Sequence, residues 1–400
     1  MKIAVLGASG LMAEAALYDL AANPKVTRIW AADLDLSRAR AILPRLPNRR
    51  KIIPVACDLT ATAAAARKLR GADAVLHCAW YEHNLKAMDL SLALKAHYVD
   101  LGGLYHATLK QLKRQADFSR AGLVACLGAG STPGITNMMA ARLAQGFDAI
   151  DTVGIYDACH DPSLTDANFL PPFSIRTMLE EYEAPAPVFK NGRVQMLPAH
   201  GDPEILDFRT PIGRVRAGAV IHSEVATLPE YLEDKGVRNL FFKIAYPDSV
   251  KSQLAVLSAM GASSKKPIRL NGFSVSPLGF VTALALNAAR AGVGPRPLKA
   301  RDFEILRVRV SGRRGSARRV LSLDCEIRPL GSLSAGAIGV GFTGAVAAAM
   351  LVGGETKVLS GVGAPESVLQ PDPFFAALRS RKAFSFVERI EQPFEQAAQL

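Results

Sequence analysis

Gly7, Gly10 and Ala13 stand at three-residue intervals between the apolar run Lys2–Leu6 and an alanine-rich stretch, and Asp33 follows about twenty residues later. These residue types suit the binding of a dinucleotide. Glycine at 7 permits a tight turn, and glycine at 10 lets backbone amides approach a pyrophosphate at a helix N-terminus. Ala13 keeps that helix close to its strand. Asp33 can accept hydrogen bonds from an adenosine ribose diol and would repel a 2′-phosphate. Leu34 follows it where an NADP enzyme often carries a basic group, although Arg38 is near. NAD is therefore preferred and NADP stays open. The spacing is GxxGxxA rather than GxGxxG, so its context must support it. Ser9, Leu11 and Met12 complete the turn that would face the cofactor.

Further cofactor-binding candidates fall at later strand ends: Asp58, Cys78 with Ala79, and Gly102 with Gly103. Asp58 serves equally well as a helix N-cap. Trp80-Tyr-Glu-His-Asn84 holds an imidazole, His83, that titrates in the range useful for acid–base work. Two other patterns are set aside. Cys159-His160-Asp161 looks ligand-like, but adjacent residues rarely converge on one metal, and none of the five cysteines forms a CxxC pair. No metal site is expected. Tyr231 and Lys235 have YxxxK spacing but lie in a Pro-led stretch far beyond the nucleotide unit.

The elements that must position these residues alternate. Lys2–Leu6, 27–32, 51–56, 72–79, 98–101 and 123–127 read as strands, with helices over 11–22 and 85–96. Such alternation predicts an α/β fold with a Rossmann-type, doubly wound parallel sheet over residues 1–132. Strands near 152–156 and 240–246, with a hairpin of 303–310 and 320–327 around the turn 312–316, predict an open sheet with one buried face. The hairpin arginines are expected on its wet face. The Gly/Ala-rich stretch after Gly336 reads as a tightly packed helix.

The chain has 400 residues, 49% hydrophobic and 21% charged, which predicts more than one globular domain. Its net charge of +12 is spread over separate loops without interleaved aromatic residues, so nucleic acid is not the expected partner. The apolar run 338–352 falls short of the roughly twenty residues that span a bilayer. The N-terminus reaches glycine too early for a signal peptide, so a cytoplasmic chain with no membrane partner is expected.

Over most of its length the chain resembles the saccharopine dehydrogenase family, and within it the lysine 6-dehydrogenase branch. The likeness is carried by GASGLMAEAA at the start, HCAWYEHN at 77–84, YVDLGG at 98–103 and GAGSTPGITNMMAARL at 128–143. It continues through FSIRTMLEEYEAPAPVFKNGR at 173–193, HSEVATLPEYL at 222–232 and GVGAPESVLQPDPFFAALRSR at 361–381. The resemblance implies hydride transfer between NAD or NADP and the carbon of a C–N bond in an amino acid or amine. It also implies an α+β substrate-binding and dimerisation domain over 133–335, a segment 336–400 returning to the nucleotide domain, and a homodimer. Tyr81, His83 and Lys243 are then the candidate catalytic residues. Arg176, His222, Glu224 and Thr227 are candidates for the substrate, Glu224 holding an amino group and Arg176 or Lys243 a carboxylate. Three departures from that branch, a glycine turn longer by one residue, LGAG at 127–130 and Arg176, leave two further readings: a carboxynorspermidine- or homospermidine-type polyamine dehydrogenase, and an inactive NAD(H) sensor.

Overall fold

A computed structural model describes residues 1–164, 173–291 and 299–391. Six strands come first in the chain: β1 (Lys2–Leu6), β2 (Arg28–Asp33), β3 (Ile52–Ala56), β4 (Ala74–His77), β5 (His97–Asp100) and β6 (Val124–Cys126). Six more follow: β7 (Ala149–His160), β8 (Ala186–Lys190), β9 (Arg193–Leu197), β10 (Gly201–Asp207), β11 (Arg214–Ala219) and β12 (Asn239–Ala245). After a small hairpin of β13 (Ile268–Leu270) and β14 (Phe273–Val275) come β15 (Phe303–Arg314), β16 (Ala317–Ile327), β17 (Gly361–Gly363) and β18 (Phe384–Glu391).

The first sheet is wholly parallel, in the order β3-β2-β1-β4-β5-β6-β17. Its doubly wound arrangement reverses between β1 and β4, the place where such sheets leave a crevice at the strand ends. β1 is almost wholly buried, as a strand covered on both faces must be. The helix Leu11–Ala22 stops at Asn23, whose extended backbone suits the residue before Pro24.

The second sheet is mixed, in the order β10-β11-β12-β7-β15-β16-β18, with β8 pairing β12 and β9. β7 runs parallel to β12 and antiparallel to β15. The hairpin turn is tighter than expected. β15 continues to Arg314 because Gly312 still pairs with both Arg319 and Ile150, leaving only Gly315 and Ser316 between the strands. Its arginines are not simply solvated either. Arg307 lies over the Phe208 ring and forms a bidentate pair with the buried carboxylate of Asp324, which also takes Arg389.

The last segment departs from the expectation for 336–400. β17 does join the first sheet, beside β6, but β18 crosses to the second sheet and pairs with β16. β16 would otherwise present an unpaired row of backbone groups, and β18 seats Phe384 and Phe386 against Phe342 and Phe375.

Between the sheets runs the helix Ala335–Gly353. Its nineteen residues are long and apolar enough to cross a membrane, which the shorter run counted from sequence is not, yet here most of them are buried in protein. It packs on β4, β5 and the helix Leu11–Ala22 from one sheet and on β15 and β16 from the other. A Cβ on Gly341 would lie 2.8 Å from both the Ala15 Cβ and the Ala16 nitrogen, so glycine sets how closely the two helices approach.

Candidate active site

Because every strand of the first sheet points the same way, the loops after β1, β4, β5 and β6 share one edge. Gly7 sits there with φ +72°, and a Cβ on it would fall 2.8 Å from the Ala79 nitrogen. The first and fourth loops therefore touch through a glycine. Gly10 follows as the N-cap of Leu11–Ala22, and no side chain caps that helix end. The amides there are left for an anion, and the missing side chains leave room for one to approach. This cradle suits a dinucleotide, whose phosphates Gly7 to Met12 would hold, with Cys78, Ala79, Gly102 and Gly103 on the same edge.

Asp33 closes the loop from the side. Its Oδ2 accepts the Ser9 N–H at 2.9 Å and the Ser9 hydroxyl at 2.7 Å, while Oδ1 accepts the Asp35 N–H. Leu34 is exposed beyond it. Asp58 does not cap the following helix: its Oδ1 accepts the N–H and hydroxyl of Thr60, and the side chain is exposed. Asp100 is buried, and its Oδ1 accepts the N–H groups of Gly102 and Gly128, tying two loops together.

A cleft of about 380 Å³ opens between this edge and the second sheet. Met12, Cys78 to Tyr81, Leu101 to Leu104 and Ser131 to Pro133 line the nucleotide side. The opposite wall is acidic. Asp157, Asp161, Glu181, Asp302 and Glu304 line it, with His222 and Tyr246, and no lysine or arginine is among the described lining residues. The wall follows from strand parity: Asp157 and Cys159 share the inner face of β7, and Glu304 lies opposite Cys159 on β15. Burial raises Asp157 and Glu181 to about 7 and Asp302 to about 6, and it pushes Glu304 well above the usual carboxylate range. The Tyr246 hydroxyl donates to Glu181 at 2.5 Å.

Tyr81 lines the cleft as expected, and its hydroxyl donates to Glu180 at 2.9 Å. Burial and then the Glu180 carboxylate raise its pKa, so the phenol keeps its proton. The neighbouring Trp80 carries the Arg176 guanidinium 4.3 Å from its ring centroid and the Lys265 ammonium at 5.4 Å. Lys265 bridges Glu82 and Glu180, while Arg176 Nε donates to Thr282. Two cations and two carboxylates thus gather around Trp80, at the edge of the cleft it lines.

Five expected residues do not line the cleft: Arg176, stacked on Trp80, and four more. Lys243 points to the opposite face of the second sheet, because Phe242 and Ile244 take the inner face of β12. Its buried ammonium is neutralised by Asp202 at 3.1 Å and Glu204 at 3.2 Å. His83 packs edge-on against Trp80 instead of lining the cavity. Glu224 is fully buried behind His222, bonding it and accepting the Thr136 hydroxyl. Thr227 accepts a hydrogen bond from Asn137. His222 itself does line the cleft, stacked on Phe242 with ring centroids 4.0 Å apart. Burial opposes its charge, but Glu224 outweighs burial and its pKa is raised.

Sequence reasoning missed the acidic wall altogether. The available signal was an ionisable residue on the buried parity of a strand, in Ile155-x-Asp157-x-Cys159 and in Glu304-x-Leu306-x-Val308.

Residues 3–126 match the saccharopine dehydrogenase NADP binding domain, and residues 130–383 match the saccharopine dehydrogenase C-terminal domain. Carboxynorspermidine synthase of Vibrio alginolyticus is 28% identical over 170 residues, 42% of this chain but only 39% of that protein. Carboxyaminopropylagmatine dehydrogenase of Synechocystis is 24% identical over 298 residues, 71% of this chain and 72% of the relative. Among solved structures, saccharopine dehydrogenase (L-Glu forming) from Saccharomyces cerevisiae superposes with a TM-score of 0.74 at 16% identity, covering 98% of this chain and all of that one. Homospermidine synthase from Legionella pneumophila, solved with NAD, gives 0.68 at 11% identity and covers the whole of this chain and 94% of its own. With both domain matches together spanning nearly all of the sequence, the chain belongs to the saccharopine dehydrogenase family of nicotinamide-dependent oxidoreductases.

Proposed function

We propose that the protein transfers a hydride between NAD(H) or NADP(H) and the carbon of a C–N bond in a carboxylated polyamine. The observation that carries this reading is the wall of five carboxyl groups facing the nucleotide edge, without a lysine or arginine among the described residues that line the cleft. A substrate bearing several ammonium groups gains from such a wall. The named activities of the Vibrio and Synechocystis relatives, and of the Legionella structure, agree with a polyamine substrate.

Each end of the substrate has a counterpart. Arg176, held against the cleft residue Trp80, is the group to hold a carboxylate. Hydride leaves a C–N carbon readily only once the nitrogen is neutral, so a proton acceptor must lie close by. Glu181, raised by burial to about 7 and hydrogen-bonded to Tyr246, has a pKa suited to that role, and His222 lies beside it in the cleft. These two replace His83 and Lys243 as acid–base candidates. NAD is the preferred cofactor because Asp33 would repel a 2′-phosphate. The chain is proposed to pair as a homodimer through the second sheet.

The test is nicotinamide absorbance with purified protein over carboxynorspermidine, carboxyaminopropylagmatine, saccharopine and L-lysine, with NAD and NADP tried separately. Reduction of NAD by a carboxylated polyamine, weakened in Asp33→Ala, is the expected result. Turnover confined to lysine, or none with any amine while NADH still binds, would overturn the reading, the second outcome in favour of a sensor.

A further inference from the structure

We propose that Asp302 and Glu304, with Asp157 across the strand pairing, form a cation subsite that seats the non-reacting ammonium of a diamine-type substrate. The subsite thereby sets which amines the cleft accepts. This inference rests on the amine reading above and adds to it the residues that discriminate.

Glu304 is 6% exposed, and only one of its oxygens is satisfied. Oε1 accepts the Ser131 hydroxyl at 3.0 Å, whereas Oε2 has no hydrogen-bond partner. That free oxygen lies where Gly336 lacks a side chain, 3.7 Å from the place a Cβ would take. Asp302 shows the same half-satisfied state. Its Oδ2 accepts the Ala335 N–H at 2.6 Å, and Oδ1 has no partner. Asp157 lies on the neighbouring strand with Oδ2 accepting the Thr132 hydroxyl at 3.4 Å.

Two buried acceptors on adjacent carboxyls are thus left open toward a cleft whose described lining includes no lysine or arginine. Buried polar atoms are normally satisfied, so these imply a donor that arrives from outside. An ammonium supplies three N–H donors and a positive charge, which meets both deficits at once. Burial raises the Glu304 pKa well above the usual carboxylate range, and an incoming cation opposes that shift and favours the ionised form. The subsite also lies next to the nucleotide. Ser131 and Thr132, which hold Glu304 and Asp157, precede Pro133, and Pro133 abuts Gly102 closely enough that a Cβ there would meet it at 3.0 Å.

The experiment is calorimetric titration of the NADH-loaded protein with 1,4-diaminobutane and with butylamine, for the unaltered protein, Glu304→Gln and Asp302→Asn. Both substitutions keep the shape and put a neutral amide in place of a buried carboxyl, so folding should survive. NADH affinity checks this, and if one variant loses it the other decides. The unaltered protein should prefer the diamine at least tenfold. Each variant should lose roughly ten- to a hundredfold in diamine affinity, the usual size of a charged hydrogen bond, while butylamine changes less than about twofold. Equal binding of the two amines to the unaltered protein, or equal losses for both in the variants, would overturn the subsite. Diamine preference without turnover of any amine would uphold the subsite and sink the amine-oxidation reading. Turnover of a carboxylated polyamine without diamine preference would do the reverse.

Discussion

Replacing Gly7 and Gly10 separately by alanine should split two roles that the glycine turn combines. At Gly7 the backbone is left-handed, which costs an L-residue about 1–2 kcal/mol. The new Cβ would also stand 2.8 Å from the Ala79 nitrogen and Cβ, and that backbone is fixed by the Cys78 N–H bond to the Leu6 carbonyl. Displacing packed neighbours adds about 1–3 kcal/mol, so Gly7→Ala should lose roughly 2–5 kcal/mol of stability along with cofactor binding. Gly10 has an ordinary extended backbone, and its Cβ would come no closer than 3.3 Å to the Gly7 carbonyl. Alanine there gains about 0.4–1 kcal/mol by stiffening the unfolded chain and gives back a similar amount as a poorer N-cap. Gly10→Ala should therefore unfold within about 1 kcal/mol of the original protein, yet its methyl would stand where a pyrophosphate must approach. Urea unfolding and NADH fluorescence titration measure the two effects separately. The reasoning fails if Gly7→Ala unfolds at the original midpoint, or if Gly10→Ala keeps full NADH affinity.

Two more predictions concern stability. The buried carboxyls Asp157, Glu181 and Asp302 have folded-state pKa values raised from 3.8, 4.5 and 3.8 to about 7, 7 and 6. Between pH 4 and 7 the folded protein thus holds protons that the unfolded chain has released, so stability falls as pH rises through that window. Urea midpoints at pH 5.5 and pH 8 should show this, and a more stable protein at pH 8 would contradict it. Gly341→Leu should prevent normal folding, because even a Cβ there lies 2.8 Å from Ala15 and Ala16; an unchanged circular dichroism spectrum and midpoint would refute that account.

The nucleotide half was legible in the sequence because its signals are local. Strand, glycine turn, helix and Asp33 follow one another within about thirty positions, and the Ser9–Asp33 contact closes that same short unit. The acidic wall was not legible because its three parts, Asp157 with Asp161, Glu181, and Asp302 with Glu304, meet only in the folded chain. Asp157 and Glu304 are brought together by the β7–β15 register and Glu181 by a helix packed over it, and no short window contains two of them. Lys243 was misplaced for a related reason. Its position in an apolar strand was plain, but the side it faces depends on which neighbours fill the core, and Phe242 and Ile244 do so. β18 was missed because its partner, β16, lies almost sixty residues earlier and nothing between them marks the return.

The order in which the chain visits its two sheets has a consequence for its synthesis. β6 is made early but acquires its outer neighbour, β17, only when residues 361–363 have been translated, and β16 waits longer still for β18. Throughout most of translation, then, each sheet offers a bare edge, and the apolar helix 335–353 that joins them has not yet left the ribosome. A nascent chain of this kind completes neither half before the other. It is a natural client for chaperones, and a premature stop near residue 360 would leave both sheets with open edges, prone to aggregation, rather than release a usable nucleotide-binding domain.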